Sequence, residues 1–272
     1  MAVSTVVRVR LLVAAAAVVA AGIVTGVVLA THQDPRQPTT QCKKLPSPIV
    51  LKGVQSDHVA EVRTAFRKPP AAAARVLESL AQQNPRDPVV QFNDGTALLC
   101  AGYTSEAAQA YVRAKQAGRD TWYEVRADNL LHPQFFSDGY PPVVITGRDP
   151  LLIQGQLEQR QFHQHSAERL FARAARLHPN DPEAQVAAAV GRFDMDDLNA
   201  SFSRLGPLVK RFPRSQTVRF HLGLLLSWTG QGALAVKEFR AARALGPHTA
   251  LGRDAGAFLG RLVTSGTSGS KR

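Results

Sequence analysis

The residues best placed to do chemistry in this chain are few, and their spacing limits what they can do. Cys42 and Cys100 are the two cysteines; an even number suits one disulfide in an oxidising compartment, and two free thiols are the alternative. If bridged, they close a long loop, worth on the order of 4 kcal/mol in the chain-entropy model. Neither belongs to a C-x-x-C or a Cys/His ligand set, so redox catalysis and structural zinc have no support. His163 and His165 stand two residues apart, on different faces of a helix, and make no metal pair. Asp194, Asp196 and Asp197 form an acidic run of the kind that is usually solvated. No phosphate loop, nucleophile elbow or metalloprotease helix is present. The expectation is a chain that is not an enzyme and needs no cofactor or metal.

The elements that position these residues follow a 34-residue period. Pro179, Pro213 and Pro247 keep that step, as do Gly155, Ala189 and Gly223. Ala167, Ser201 and Ala235 repeat it, then Phe171, Leu205 and Phe239, then Ala174, Leu208 and Ala242. Upstream, Gly95, Ala107, Tyr111 and Ala114 reproduce the spacing, preceded by Ala73, Leu77 and Pro85. Small residues let two helices approach closely, an aromatic ring fills the gap between hairpins, and proline closes the second helix. This pattern resembles the tetratricopeptide repeat family, and in particular its membrane-anchored bacterial members. The resemblance implies an all-α fold, a right-handed solenoid of helical hairpins whose repeats bury one another's faces.

The period divides the chain. Residues 54–121 hold two repeats and 148–249 three, with a capping helix at 250–264 and a flexible tail at 265–272. Between the blocks, residues 122–147 break the register by 26 residues. This insertion carries Trp122, Tyr123, Phe135, Phe136 and Tyr140. Trp122 to Leu131 suits a short helix, and the prolines after it require an irregular path. The loop either packs against the solenoid to join the blocks or lies over the groove and gates it.

Residues 11–30 contain no charge and only Thr25 as a polar side chain. Twenty residues of helix span about 30 Å, the thickness of a bilayer core. The expectation is an N-terminal transmembrane helix after a cytoplasmic tail at 1–10, with an extended linker at 31–53. Arg8 and Arg10 before the span put the C-terminal domain outside the cytoplasm, in a single-pass protein of the cell membrane. A signal peptide cleaved at Ala30 is the competing reading. Gly22 and Gly26 form a G-x-x-x-G that would let two copies pair as a homodimer.

Formal net charge is +12, from 33 basic and 21 acidic residues. That balance favours anionic partners, an acidic protein or peptide, anionic lipid headgroups or wall polymers, while the cations, spread over amphipathic helices without interleaved aromatic residues, read first as solvated helix faces and do not point to nucleic acid. In the family, first-helix positions two, five, six, nine, twelve and thirteen face a concave groove that holds a peptide. The resemblance therefore implies groove roles for Phe92, Asn93, Thr96, Cys100, Gln156, Arg160, Asp194, His221, Leu224 and Trp228. Asn93 is the most informative, because one amide can pair with a peptide donor and acceptor together. The expected function is that of a membrane-anchored scaffold or adaptor in cell-envelope assembly or maturation. A self-associating structural component and a secreted binding module are the alternatives.

Overall fold

The computed structural model describes residues 41–51, 54–134 and 139–268, with side chains through 262. Among the described residues the chain is all-helical, with twelve helices and no strand. In chain order they are α1 (Val59–Ala65), α2 (Pro70–Gln83), α3 (Pro88–Ala101), α4 (Thr104–Ala117), α5 (Trp122–Leu131) and α6 (Pro150–Arg160). Then come α7 (Gln164–Leu177), α8 (Pro182–Gly191), α9 (Leu198–Arg211), α10 (Gln216–Trp228), α11 (Gly232–Leu245) and α12 (Ala250–Ser268). The last helix continues past residue 264, where the tail was expected to begin.

The starts of α3, α6 and α8 share one device, an Asp-Pro pair. Asp87, Asp149 and Asp181 cap these helices, accepting backbone N–H bonds from the first turn, and each following proline occupies the first helical position. Proline there loses no needed donor, and each cap contributes about 1 kcal/mol. Ser215 caps α10 in the same way, through Val218 N–H.

Each helix packs chiefly on its neighbours in the chain, most closely within the pairs α3/α4, α6/α7 and α10/α11. These three pairs carry the Gly/aromatic columns, and the contact between their helices explains why the columns exist. A Cβ at Gly95 would lie 2.8 Å from the Tyr111 ring, one at Gly155 2.5 Å from Phe171, and one at Gly223 2.9 Å from Phe239. The ring of the second helix thus rests on bare backbone of the first, and any side chain there would force the helices apart. Tyr111, Phe171 and Phe239 are all buried.

Apolar burial falls into separate clusters that divide within the insertion. One runs from Leu45 through Ala127, and the next begins at Val143. The junction between them is largely polar. Asp120 accepts from the backbone N–H of His165 and Ser166 at the start of α7, and His165 Nε2 lies 2.7 Å from Glu124.

The expected cell-membrane location is corrected at this point: among the described residues no helix is long and apolar enough to cross a membrane. Residues 11–30, with Gly22 and Gly26, lie outside the described residues, as do Phe135 and Phe136. The described part of the expected linker, 41–51, is not a free spacer. Leu45 is buried, and Ile49, Val50 and Leu51 pack against the first apolar cluster.

Candidate functional site

Two non-helical segments of the chain lie across the first helices of the repeats, gripped by side chains at corresponding repeat positions. The first is 41–51, on α3. Cys42 is bonded to Cys100 in a disulfide, and the N–H groups of Gln41 and Cys42 both donate to Cys100 O. Further along, Asn93 accepts from Ile49 N–H at 2.9 Å and donates to Ile49 O at 2.8 Å. The N–H and C=O of one residue face the same side only in extended backbone, so this amide acts as one rung of a β-ladder. Tyr123 Oη donates to Ile49 O and accepts from Leu51 N–H. Ser56 Oγ then donates to Asp87 Oδ2 at the cap of α3, so the chain runs antiparallel to that helix.

The second segment is 139–147, over α6, α8 and α10. Trp228 Nε1–H donates to Gly139 O at the end of α10. Gln159 accepts from Val143 N–H and donates to Pro141 O, while Gln156 donates to Val143 O. Val144 N–H donates to His221 Nε2 at 2.9 Å. The Glu183 carboxylate, largely buried, accepts from Thr146 N–H, Thr146 Oγ1 and Gly147 N–H. This segment is also antiparallel to α10, since Gly139 meets its last residue and Val144 an earlier one.

The registers coincide. Asn93 and His221 are each the sixth residue of their helix, counted from Pro88 and Gln216, and Cys100 and Trp228 are each the thirteenth. Phe92 and Phe220, one residue earlier, are core rings: Phe92 lies against Tyr111, Trp122 and Tyr123, and Phe220 against Phe239 and Phe258. Thr96 is half-buried under the Tyr111 hydroxyl, and Leu224 is buried. Arg160 is exposed and lines a cleft with Tyr140, Pro142, Gln159 and Phe162. Asp194 is exposed in the turn after α8, where its carboxylate accepts from Asp196 N–H, and it lines a pocket with Tyr140 without gripping the backbone of either segment. In the insertion, Trp122 and Tyr123 stand on α5, and Tyr140 packs on Phe193 and donates to Asp128.

Gln159 and Glu183 are the gripping residues that sequence reasoning missed. Glu183 follows Pro182 at the second repeat position, one of those the family resemblance assigns to a groove, and Gln159 stands three residues after Gln156 on one helical face.

Two buried ionisable groups are displaced from their ordinary values. Burial pushes the His221 imidazole down to about 4, against a weaker opposing pull from its bond to Thr217 O. Neutral His221 with the proton on Nδ1 fits both contacts, donating to Thr217 O and accepting from Val144 N–H. Burial pushes Asp94 up to about 7, with Arg113 pulling down and Glu78 pushing up. Its Oδ2 lies 3.3 Å from Arg113, and its Oδ1 has no hydrogen-bond partner.

Asp128, His132 and Asp196 bring one ligand atom each within 4.8 Å of one another, a spacing a metal ion would accept. The Lys115 ammonium already bridges the two carboxylates at 2.7 and 2.9 Å, so an ion would have to displace a paired cation. His163 and His165 are engaged with Glu158 and Glu124. No family model and no characterised protein matches the chain.

Proposed function

We propose that this protein is a tetratricopeptide-type binding scaffold, a right-handed solenoid of helical hairpins and not an enzyme, whose concave groove holds extended peptide backbone. The observation that carries the reading is the Asn93 amide, which takes both the N–H and the C=O of Ile49. Recognition through main-chain groups by a side-chain amide reads shape more than sequence, as a scaffold for extended segments requires. The second groove supports the same reading, because Gln156 and Gln159 grip both main-chain groups of Val143. The ionisable clusters support a non-catalytic role, since the carboxylates and imidazoles at the junction are tied to one another.

The partner is a protein or peptide, and the charge of +12 suits an acidic one. Lys44, Arg63 and Arg67 line a cleft beside Leu45 and Phe66 at the edge of the first groove, where acidic flanks of a bound segment would be neutralised. The test is site-specific photocrosslinking from groove positions Thr96 and Arg160 and from the second-helix positions Arg75 and Arg173. Partner adducts from Thr96 and Arg160 alone are expected. Adducts confined to Arg75 and Arg173 would put the partner on the outer face and sink the groove reading.

A further inference from the structure

The two segments that fill the groove are alike in sequence as well as in placement. When Ile49 is set against Val144, the residues facing Asn93 and His221, Leu45-Pro46-Ser47-Pro48-Ile49-Val50 falls on Tyr140-Pro141-Pro142-Val143-Val144-Ile145. Both read large apolar, proline, two variable positions, then two aliphatic residues. Proline and β-branched residues favour extended backbone before binding, which lowers the entropic cost of docking. The chain thus contains two internal copies of one kind of groove ligand.

They differ in how they are kept in place. Segment 139–147 is continuous with α6 and bonded to side chains from α6, α8 and α10. Segment 41–51 is held at its N-terminal end by the Cys42–Cys100 disulfide together with the Gln41 and Cys42 N–H bonds to Cys100 O, and Cys100 is itself a groove position. Cys100 is buried while Cys42 is half-buried against the first apolar cluster, and Lys43 and Lys44 beside it are exposed cations that attract an anionic thiolate.

Resting on the groove reading above, we infer that the Cys42–Cys100 disulfide is a latch on the first groove. Its reduction frees the groove for an external peptide with the pattern large apolar–Pro–x–x–aliphatic–aliphatic. The reductant is a dithiol. Its thiolate attacks Cys42 Sγ, the Cys42–Cys100 bond breaks, and Cys100 leaves as a thiolate that takes up a proton. The second thiol of the reductant then displaces Cys42, which is likewise protonated, and the reductant departs as its own disulfide. While the bond is intact, segment 41–51 cannot leave its C-terminal helix end, and no external peptide reaches the full length of α3. Once it is broken, the segment stays tethered through its other end and competes as an intramolecular ligand at roughly millimolar effective concentration.

The experiment uses the full chain, oxidised, treated with a dithiol, and as Cys42→Ser. Hydrogen exchange at the Ile49 and Leu51 amides is measured alongside binding of a fluorescent synthetic peptide with the sequence of residues 44–51, and the Val144 amide serves as the internal control. Reduction and Cys42→Ser should each speed exchange at Ile49 and Leu51 by at least about tenfold, leave Val144 unchanged, and raise peptide affinity by at least about tenfold. Added Asn93→Ala should abolish that gain. Unchanged exchange at Ile49 on reduction would overturn the latch and leave the groove reading standing. Faster exchange without any peptide binding would overturn the groove reading and the latch with it. Equal peptide binding by the oxidised and reduced chains would overturn the latch alone.

Discussion

Segment 41–51 is fastened to α3 and α5 by a covalent bond, the bidentate Asn93 amide, the Tyr123 hydroxyl and two backbone bonds to Cys100 O, whereas 139–147 is fastened by side chains of three helices and by no covalent bond. The same repeat positions do the fastening in both: Asn93 and His221 at the sixth, Cys100 and Trp228 at the thirteenth. One backbone geometry therefore offers the same two anchor points in each block, and the side chains placed there decide how the segment is held. An amide or an imidazole at the first point satisfies main-chain groups; a thiol or an indole at the second ties down the far end. Because the second segment is anchored along its whole length, loss of one contact redistributes load among the others. The first gathers its polar contacts at two places, Cys100 at one end and the Asn93–Tyr123 pair around Ile49, so the loss of either should matter more.

The largest test of that contrast is removal of the disulfide. It links residues 58 apart in sequence, and in the chain-entropy model its loss costs about 4 kcal/mol. Denaturant unfolding of the reduced chain or of Cys42→Ser should show the first block melting early while the second keeps its midpoint. Residue-resolved exchange separates the blocks, α3 and α4 amides reporting the first and α10 and α11 amides the second. Equal loss in both blocks would mean that the stack unfolds as one unit across the polar junction.

Changing pH should move the two blocks in opposite directions. The folded value of His221, about 4, lies below its ordinary 6.5, so its contribution is fully present above pH 6.5 and is lost as pH falls through 4. The folded value of Asp94, about 7, lies above its ordinary 3.8, so its contribution is fully present below pH 3.8 and is lost as pH rises through 7. Between roughly pH 4 and 6.5, raising the pH therefore stabilises the second block and weakens the first, each by about 3 kcal/mol at most. The two effects oppose each other in the whole chain and separate in variants. His221→Gln should leave a stability that falls across this window, and Asp94→Asn one that rises. Parallel profiles for the two variants would show that one of the two groups titrates normally in the folded chain.

The repeat was legible because its columns are contacts between helices adjacent in the chain: Gly95 meets Tyr111, Gly155 meets Phe171 and Gly223 meets Phe239 at one constant spacing. A period survives in sequence when the same local contact is made again and again. The segments docked on the first helices were not legible, because their contacts are made once and across long separations, 44 residues for Ile49 and Asn93 and 89 for Gly139 and Trp228. Residues 41–51 also read as a linker for a physical reason. An extended segment docked through its main chain needs no hydrophobic period, and its prolines and serine are what a free spacer would carry as well. The Asp-Pro pairs at 87, 149 and 181 did carry positional information, marking the first residue of three first helices; at 87 and 181 that residue also opens the repeat, whereas Pro150 stands two residues after the repeat start at Arg148.

The smaller tests compare the anchor points one at a time. Asn93→Ala strands the N–H of Ile49 at a partly buried site and removes one of two donors to Ile49 O, the Tyr123 hydroxyl remaining, so the cost should be about 2 kcal/mol in the first block. His221→Ala removes one acceptor, that for Val144 N–H, and opens space in the core beside Phe220. Trp228→Phe should be the mildest, because it deletes a single bond to Gly139 O, which is only half-buried, and keeps an aromatic ring in place. About 0.5–1 kcal/mol is expected, read as a small rise in exchange at Val144 with Ile49 unaffected. If Trp228→Phe instead costs as much as Asn93→Ala, the far end of the second segment is a main anchor and not one of many. The distributed hold that separates the two grooves would then be wrong, with the indole doing for 139–147 what the disulfide does for 41–51.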